Sequence, residues 1–311
     1  MTGALAADYH SGAQRARVVT ESWGESNLYC PNCSSPKLTW LEPGHPASDY
    51  SCPKCKFWFQ LKSQKSRIGD SITDGAYAAM MNAIRHDETP NFYFMQYEIT
   101  PSPPRSGGEG RGEVAQIKTP RPDPLPAQSR GEGMLWRVKN LLLVPSFAFP
   151  PSAIIKRKPL SPTARRAGWV GCNFDLTRIP ADARIPIVIT RSSGRESAPS
   201  SSGEIRESQS RLTSAATVII PPGKVREQFR RVKPLKDIGI KERGWTLDVL
   251  NAIRRLGKLE FTTADAYAFT RDLEKLHPDN RHVRDKIRQQ LQVLRDAGLL
   301  LHVERGVWRL P

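Results

Sequence analysis

Four cysteines, Cys30, Cys33, Cys52 and Cys55, stand as two C-x2-C pairs separated by eighteen residues. Each pair makes a tight turn that points two sulfurs at one ion, and this separation is that of a four-thiolate tetrahedral zinc site. Two disulfides in a secreted domain would use the same residues. No signal-peptide pattern precedes them, however, and the chain is too long for a disulfide miniprotein. An acid followed by a polar-x-lysine run, Asp49 and then Gln60-Leu61-Lys62, brackets the second pair. Hydrolysis of a phosphodiester requires a divalent cation to neutralise phosphate oxygens, a water deprotonated near neutral pH, and a positive charge beside that water. Asp49 would hold Mg²⁺, Gln60 would offer a carbonyl oxygen as a weaker neutral ligand, and Lys62 would orient or help deprotonate the water. Taken alone this spacing recurs in many chains by chance; beside a metal module it gains weight.

These residues need a frame. The segment Gln14–Trp23 reads as a basic amphipathic helix, Phe57–Leu61 as a short strand after the zinc module, about Ile72–Ile84 as a helix, and Phe92–Tyr97 as a further strand. Strand, helix and strand after the metal module predict an α/β sandwich with a mixed sheet. Side chains alternate along a strand, so Trp58, Gln60 and Lys62 share one face and Phe57, Phe59 and Leu61 the other. The second set can enter a core while Gln60 and Lys62 line a cleft. Cys172, in the apolar run after Trp169, has no cysteine partner left and reads as a buried thiol.

The 311 residues allow two domains, and 38% hydrophobic residues suffice for modest cores without packing the entire chain. A net charge of +16 is the larger clue, because lysine and arginine displace counterions condensed on a polyanion. Nucleic acid is the natural partner. A membrane partner would need a basic helix with a wide apolar face, whereas the cations here are dispersed. No run of about eighteen apolar residues is present, and a soluble, cytoplasmic protein is expected. Two stretches, about 101–133 and 191–216, are crowded with Pro, Gly, Ser, Arg and Glu and read as disordered. Apolar strand-like runs flank each, so both look like insertions into a fold. With no Walker loop, dinucleotide fingerprint or nucleophile elbow, no nucleotide cofactor is expected.

The C-terminal part predicts three helices and a hairpin. Thr246 opens the first, with Leu247, Leu250, Ile253 and Leu256 on one side and Gly257 at its end; Thr262 or Thr263 caps the second, which runs to Leu276. Asn280 begins the third, with Val283, Ile287, Leu291 and Leu294 as its apolar stripe. Leu299–Val303 and Val307–Leu310 pair across Glu304-Arg305-Gly306. This order describes a winged helix whose last helix suits a major groove, although winged helices also bind proteins. Arg281, His282 and Arg284 are the candidates for base edges, and Lys286, Arg288 and Arg305 for phosphates. None of the six histidines shows ligand spacing.

Several runs resemble those of the DpnI-type methyl-directed restriction endonucleases of the PD-(D/E)xK nuclease superfamily. They are TESW at Thr20, YCPNC at Tyr29, FQLKSQK at Phe59, DGAYAAMM at Asp74, RKPLSPTARRAGWVGCN at Arg157, RGWTLDVLN at Arg243 and DKIRQQLQVLRD at Asp285. The resemblance is colinear and covers nearly all the chain outside the two low-complexity stretches. It implies a zinc-containing nuclease domain over residues 1–235 and a winged helix over 236–311, both reading GATC methylated on adenine. A monomer is the expected state. Asp49 and Lys62 match the family's catalytic Asp and Lys, and Cys30, Cys33, Cys52 and Cys55 its zinc ligands, with zinc structural and Mg²⁺ catalytic.

Gln60 departs from the pattern, which has Glu there, and a neutral amide offers less charge to a hard divalent cation. Glu21 could provide a second carboxylate. Ser48 stands where the superfamily motif has Pro. For the basic stretch Lys156–Trp169, an isolated sequence would favour a solvated loop. The resemblance instead implies that Arg157, Arg165 and Arg166 contact phosphates, and that Trp169 packs against the adenine methyl groups in the major groove. Two readings follow: a type II endonuclease that cleaves adenine-methylated GATC, or a binder of methylated DNA disabled at Gln60 or by the insertions.

Overall fold

The computed structural model describes residues 9–42, 48–101, 134–190 and 217–311. The expected disorder over about 101–133 and 191–216 therefore lies outside the described residues, except for Pro101, which ends the strand Asn91–Pro101. What is described shows why these stretches look inserted. They connect strands that pair directly with one another, β5 to β6 and β9 to β10 as defined below, so each interrupts a hairpin.

Helix α1 (Gly12–Asn27) extends beyond the predicted Gln14–Trp23 at both ends. Ala16, Val19, Thr20, Trp23 and Gly24, at three- and four-residue spacing, form its buried stripe. Gly24 is required by close approach, since a Cβ there would run into the Tyr50 hydroxyl. That hydroxyl donates to the Glu21 carbonyl at 2.6 Å. Strands β1 (Thr39–Trp40), β2 (Tyr50–Ser51) and β3 (Trp58–Gln64) follow as antiparallel neighbours. Strand β4 (Ser71–Ala76) and helix α2 (Tyr77–His86) then occupy the segment expected to be one helix from Ile72. Ile72 sits in the strand instead, because it pairs with Phe174 across a ladder formed by a distant segment.

Strand β5 (Asn91–Pro101) lies parallel to β3, and β6 (Met134–Val144) antiparallel to β5. After β7 (Ile154–Lys156) and β8 (Gly171–Asp175) come β9 (Ile185–Thr190) and β10 (Thr217–Ile219). The result is a seven-stranded mixed sheet, β1-β2-β3-β5-β6-β9-β10, beside a three-stranded sheet, β4-β8-β7. This is the predicted α/β architecture with the zinc module embedded in it. The β3–β5 crossover is the one parallel pair among these ladders and, as such pairs require, it runs through a helix, α2.

The main core is aromatic. Phe92 meets Phe149 and Phe174 edge-on at 5.2 and 4.9 Å between ring centroids, and Phe94 meets Phe174 at 5.7 Å. Phe174 comes from the small sheet and Phe92 and Phe94 from the large one, so this cluster cements the two. Each such ring contributes about 1.5–3 kcal/mol by burial. Phe59 packs on Tyr93, whose hydroxyl donates to the Tyr29 carbonyl at 2.7 Å and so ties β5 to the first cysteine turn.

Helix α3 (Pro222–Val232) covers the zinc side, with Phe229 against Phe57 and Phe147. Helix α4 (Ile240–Arg255) begins six residues before the predicted Thr246. Its first turn is stabilised by tertiary bonds invisible to periodicity: the nearly buried Arg243 guanidinium pairs with Asp87 and donates to the carbonyls of Lys236 and Ile238. Thr246 is buried mid-helix and bonds Gln290.

Strand β11 (Glu260–Thr262) leads into α5 (Thr263–Tyr267) and α6 (Thr270–Leu276), which replace the single expected second helix. Of the two expected N-caps, Thr262 and Thr263, it is Thr262 that caps α5, in a capping box with Asp265. Helix α7 (Val283–Asp296) starts three residues after Asn280, whose side chain accepts from the His282 N–H at 2.8 Å in the preceding turn. Strands β12 (Leu301–Glu304) and β13 (Val307–Arg309) form the expected hairpin, turned at Gly306 with φ 79°, and β11 adds a third strand. No helix among the described residues is long and apolar enough to cross a membrane.

Candidate active site, metal centre and nucleic-acid interface

The four cysteines converge as their spacing predicts. All four Sγ atoms lie within 4.8 Å of one another, with Cys30–Cys55 and Cys33–Cys52 each at 3.5 Å, and all are free thiols. A tetrahedral site with Zn–S near 2.3 Å places its sulfurs about 3.8 Å apart, so the pocket fits that ion. The turns are held by backbone bonds, Cys30 N–H to the Ser35 carbonyl at 3.2 Å and Cys52 N–H to the Phe57 carbonyl at 2.8 Å. Burial pushes the Cys30 thiol up. At Cys52 burial also opposes ionisation, but backbone N–H groups of Cys55 and Lys54 outweigh it and bring the thiol down to about 6.

Arg226 on α3, which sequence reading missed, locks the first turn by donating to the carbonyls of Cys30 and Ser35 at 3.1 and 3.2 Å, with its guanidinium over the Tyr29 ring. It lies 191 residues from Ser35 in sequence, and no local signal could connect them.

From the second cysteine pair the chain passes directly into β3. Phe59 and Leu61 are buried, while Gln60 and Lys62 are half-buried on the other face, as alternation predicts. Asp49 precedes β2. Its N–H donates to the Phe59 carbonyl at 2.9 Å and its Oδ2 accepts from the Leu61 N–H at 2.8 Å. Since Phe59 and Leu61 flank Gln60, these two bonds set Asp49 beside Gln60. Burial raises the Asp49 carboxyl above its ordinary 3.8, against the Leu61 N–H bond; the Glu21 charge adds to the rise, and Lys62 and Arg17 counter it.

Glu21 thus acts on Asp49 from α1, while itself paired with Arg17 at 2.6 Å. Thr20 and Ser63 hydroxyls, 3.0 Å apart, fix this part of α1 to β3. Lys62 is not free: its Nζ lies 2.6 Å from Asp74 Oδ1. Asp49, Glu21 and Gln60 carry side-chain oxygens, the ligand type that hard divalent cations take.

Arg157, Arg165 and Arg166 are exposed on the loop between β7 and β8. The loop is closed by Arg157 N–H to the Gly171 carbonyl at 2.9 Å and Leu160 N–H to the Trp169 carbonyl at 2.9 Å. Trp169 is half-buried, with the Arg166 guanidinium 4.7 Å above its ring. A Cβ on Gly171 would meet that ring at 2.8 Å, so glycine is needed there. Tyr77 N–H donates to the Val170 carbonyl at 3.1 Å, which fastens this loop to the start of α2. In the C-terminal part, Arg281, His282, Arg284, Arg288 and Arg305 are exposed and Lys286 is half-buried with Nζ bonded to Gln289.

With this geometry established, residues 1–102 and 133–198 match the DpnI model, described as the Dam-replacing family, and residues 241–310 match its helix–turn–helix domain. The chain belongs to the Dam-replacing family. It is of the methyl-dependent restriction-enzyme type that acts on DNA, with a DNA-binding helix–turn–helix at its C-terminal side. The unmatched stretch 103–132 falls inside the β5–β6 hairpin, consistent with an insertion into the family fold.

Two outcomes follow from this site. Purified protein is expected to carry one zinc per chain by elemental analysis. Cys52→Ser should lose the ion and unfold the module, because such binding contributes on the order of 10 kcal/mol; a zinc-free protein that melts like the zinc-bound one would contradict this. The second concerns Asp49. Its folded value is raised, so its ionised form opposes folding. That penalty is absent below 3.8 and grows as pH rises through the raised value. Metal-free Asp49→Asn should therefore melt higher than wild type at pH 7. The two proteins should coincide near pH 3. A lower melting temperature at pH 7 would contradict the raised carboxyl.

Proposed function

We propose that this chain is a type II endonuclease that hydrolyses double-stranded DNA at GATC methylated on adenine, with Asp49, Gln60 and Glu21 as Mg²⁺ ligands and Lys62 at the attacking water. The observation that carries this reading is the Asp49 carboxylate bonded to the Leu61 N–H, beside Gln60 and on the strand that carries Lys62. When bound, Mg²⁺ supplies charge to the phosphate oxygens and lowers the pKa of a water. The chain's own residues do the rest. Asp49 keeps one carboxylate oxygen in its backbone bond, leaving the other for the metal. Gln60 contributes a neutral oxygen, so the negative charge missing relative to Glu falls to Glu21. Lys62 presents an ammonium that can hydrogen-bond the water and oppose charge building on the phosphate.

In this reading zinc has no chemical step and holds the β2–β3 hairpin in shape. A nuclease unit over 1–235 and a winged helix over 236–311 both engage the DNA, and a monomer suffices. Arg157, Arg165 and Arg166 would meet phosphates next to Trp169, which reads the methyl groups as apolar projections. Arg281, His282 and Arg284 at the start of α7 would reach base edges, with Lys286, Arg288 and Arg305 on the backbone.

The test is digestion of one plasmid prepared with and without adenine methylation at GATC, using wild type and Lys62→Ala, with Mg²⁺ present or chelated. Cleavage of the methylated plasmid alone, lost on chelation and in the variant, is expected. Selective retention of methylated plasmid without cleavage would instead make the protein a binder in which Gln60 has cost catalysis. Trp169→Ala, in a protein that still folds, is expected to lose most of the preference for methylated over unmethylated sites; unchanged discrimination would remove Trp169 from that role.

A further inference from the structure

The DGAYAAMM run places its aspartate against the lysine of the candidate site. Asp74 Oδ1 is 2.6 Å from Lys62 Nζ, and the Asp74 side chain is only 8% exposed. Its other oxygen faces the buried Cys172 Sγ at 3.8 Å. Burial, followed by the Asp74 charge, pushes that thiol up to about 12, so Cys172 keeps its proton and stands as a weak donor to Asp74. The carboxylate is thus enclosed, with Lys62 as its salt-bridge partner among the described residues.

The backbone is shaped for this contact. In the β4–β8 ladder Thr73 pairs with Asn173 and Ala76 with Gly171, so β4 carries one residue more than its partner across Asp74-Gly75. Such a bulge turns a side chain away from the direction that strict alternation would give it. Here it aims Asp74 out of the small sheet toward β3 of the large one. The obvious structural use of an aspartate at this point, capping the following helix, does not apply: the N-cap of α2 is Ala76, without a side-chain cap. A carboxylate sequestered this far is costly unless paired, and a bulge is a device retained for aiming.

We infer that Asp74 is a positioning residue that holds the Lys62 ammonium at one place on the cleft face beside Gln60. The inference rests on Lys62 being the catalytic cation proposed above. Lysine's four-carbon stem gives the ammonium wide reach, and restraining it removes rotamer freedom before the reaction begins. A misplacement of about 1 Å in such a group can cost about 10²-fold in rate.

The test compares wild type, Asp74→Asn, Asp74→Glu and Lys62→Ala as full-length proteins on one duplex with methylated GATC, measuring Kd without Mg²⁺ and the single-turnover cleavage rate with it. In parallel, labelling of Lys62 by an amine-reactive reagent is followed in metal-free protein by mass spectrometry. Asp74→Asn should cut about 100-fold more slowly, with Kd within about twofold of wild type and Lys62 labelling several-fold faster. Asp74→Glu should regain at least about tenfold over Asn, since it returns a carboxylate to the ammonium.

A wild-type rate in Asp74→Asn while Lys62→Ala is inactive would overturn the positioning role and leave Lys62 standing. Cleavage by Lys62→Ala at the wild-type rate would remove the reading beneath it as well. Parallel losses of binding and rate with no rescue by Glu would make Asp74 a structural residue only, overturning the inference. Should Asp74→Asn fail to fold, the Glu variant decides: Lys62 as protected as in wild type supports the role, and faster labelling with an unchanged rate overturns it.

Discussion

The bond from the Leu61 N–H to the Asp49 carboxylate is the interaction on which the site depends. It closes the open end of a short hairpin whose other end is the Cys52–Cys55 turn, so metal module and candidate active site share one piece of backbone. The hairpin is too short to hold itself: β2 has two residues, and an isolated two-stranded hairpin is marginal in water. Three supports make it rigid. The four-thiolate pocket pins one end, Phe59 and Tyr50 bury one face against α1 and β5, and the parallel β3–β5 ladder fixes the register. With one face anchored by burial, a slip of one residue would turn Gln60 and Lys62 into the core and is strongly opposed.

The other face carries the electrostatic cost. Burial raises the Asp49 carboxyl and the Glu21 charge adds to the rise, so without a cation this cluster opposes the fold that builds it. Such local conflict is common where charge is held ready for a ligand. Arg17 and Lys62 offset part of it, and Asp74 in turn occupies Lys62. Arg17 and Glu21 come from α1, Asp49 from the residue before β2, Lys62 from β3 and Asp74 from β4. A glutamine at position 60 keeps the oxygen while adding no further negative charge to this crowded cluster.

What could be read from sequence was local. The cysteine turns, the alternation along β3, an N-cap at Thr262 or Thr263 and the apolar stripe of α7 depend on neighbours a few residues apart, and the structure reproduces each. The misread elements depended on remote partners. Ile72 was expected in a helix but belongs to a ladder with β8, and α4 begins before Thr246 because Arg243 finds Asp87. The same reason hid Asp74 and Arg226. DGAYAAMM was legible as a family run, yet nothing near it in sequence says that its aspartate faces Lys62 across two sheets.

The central claim is that position 60 stands in a metal site beside Asp49. The direct measurement is the Mg²⁺ concentration giving half-maximal single-turnover cleavage by wild type and by Gln60→Glu. A second anionic oxygen next to Asp49 should lower that concentration by about tenfold or more, as one added charge–cation contact worth about 1.4 kcal/mol would. An unchanged or higher concentration would place the metal away from Gln60 and contradict the account.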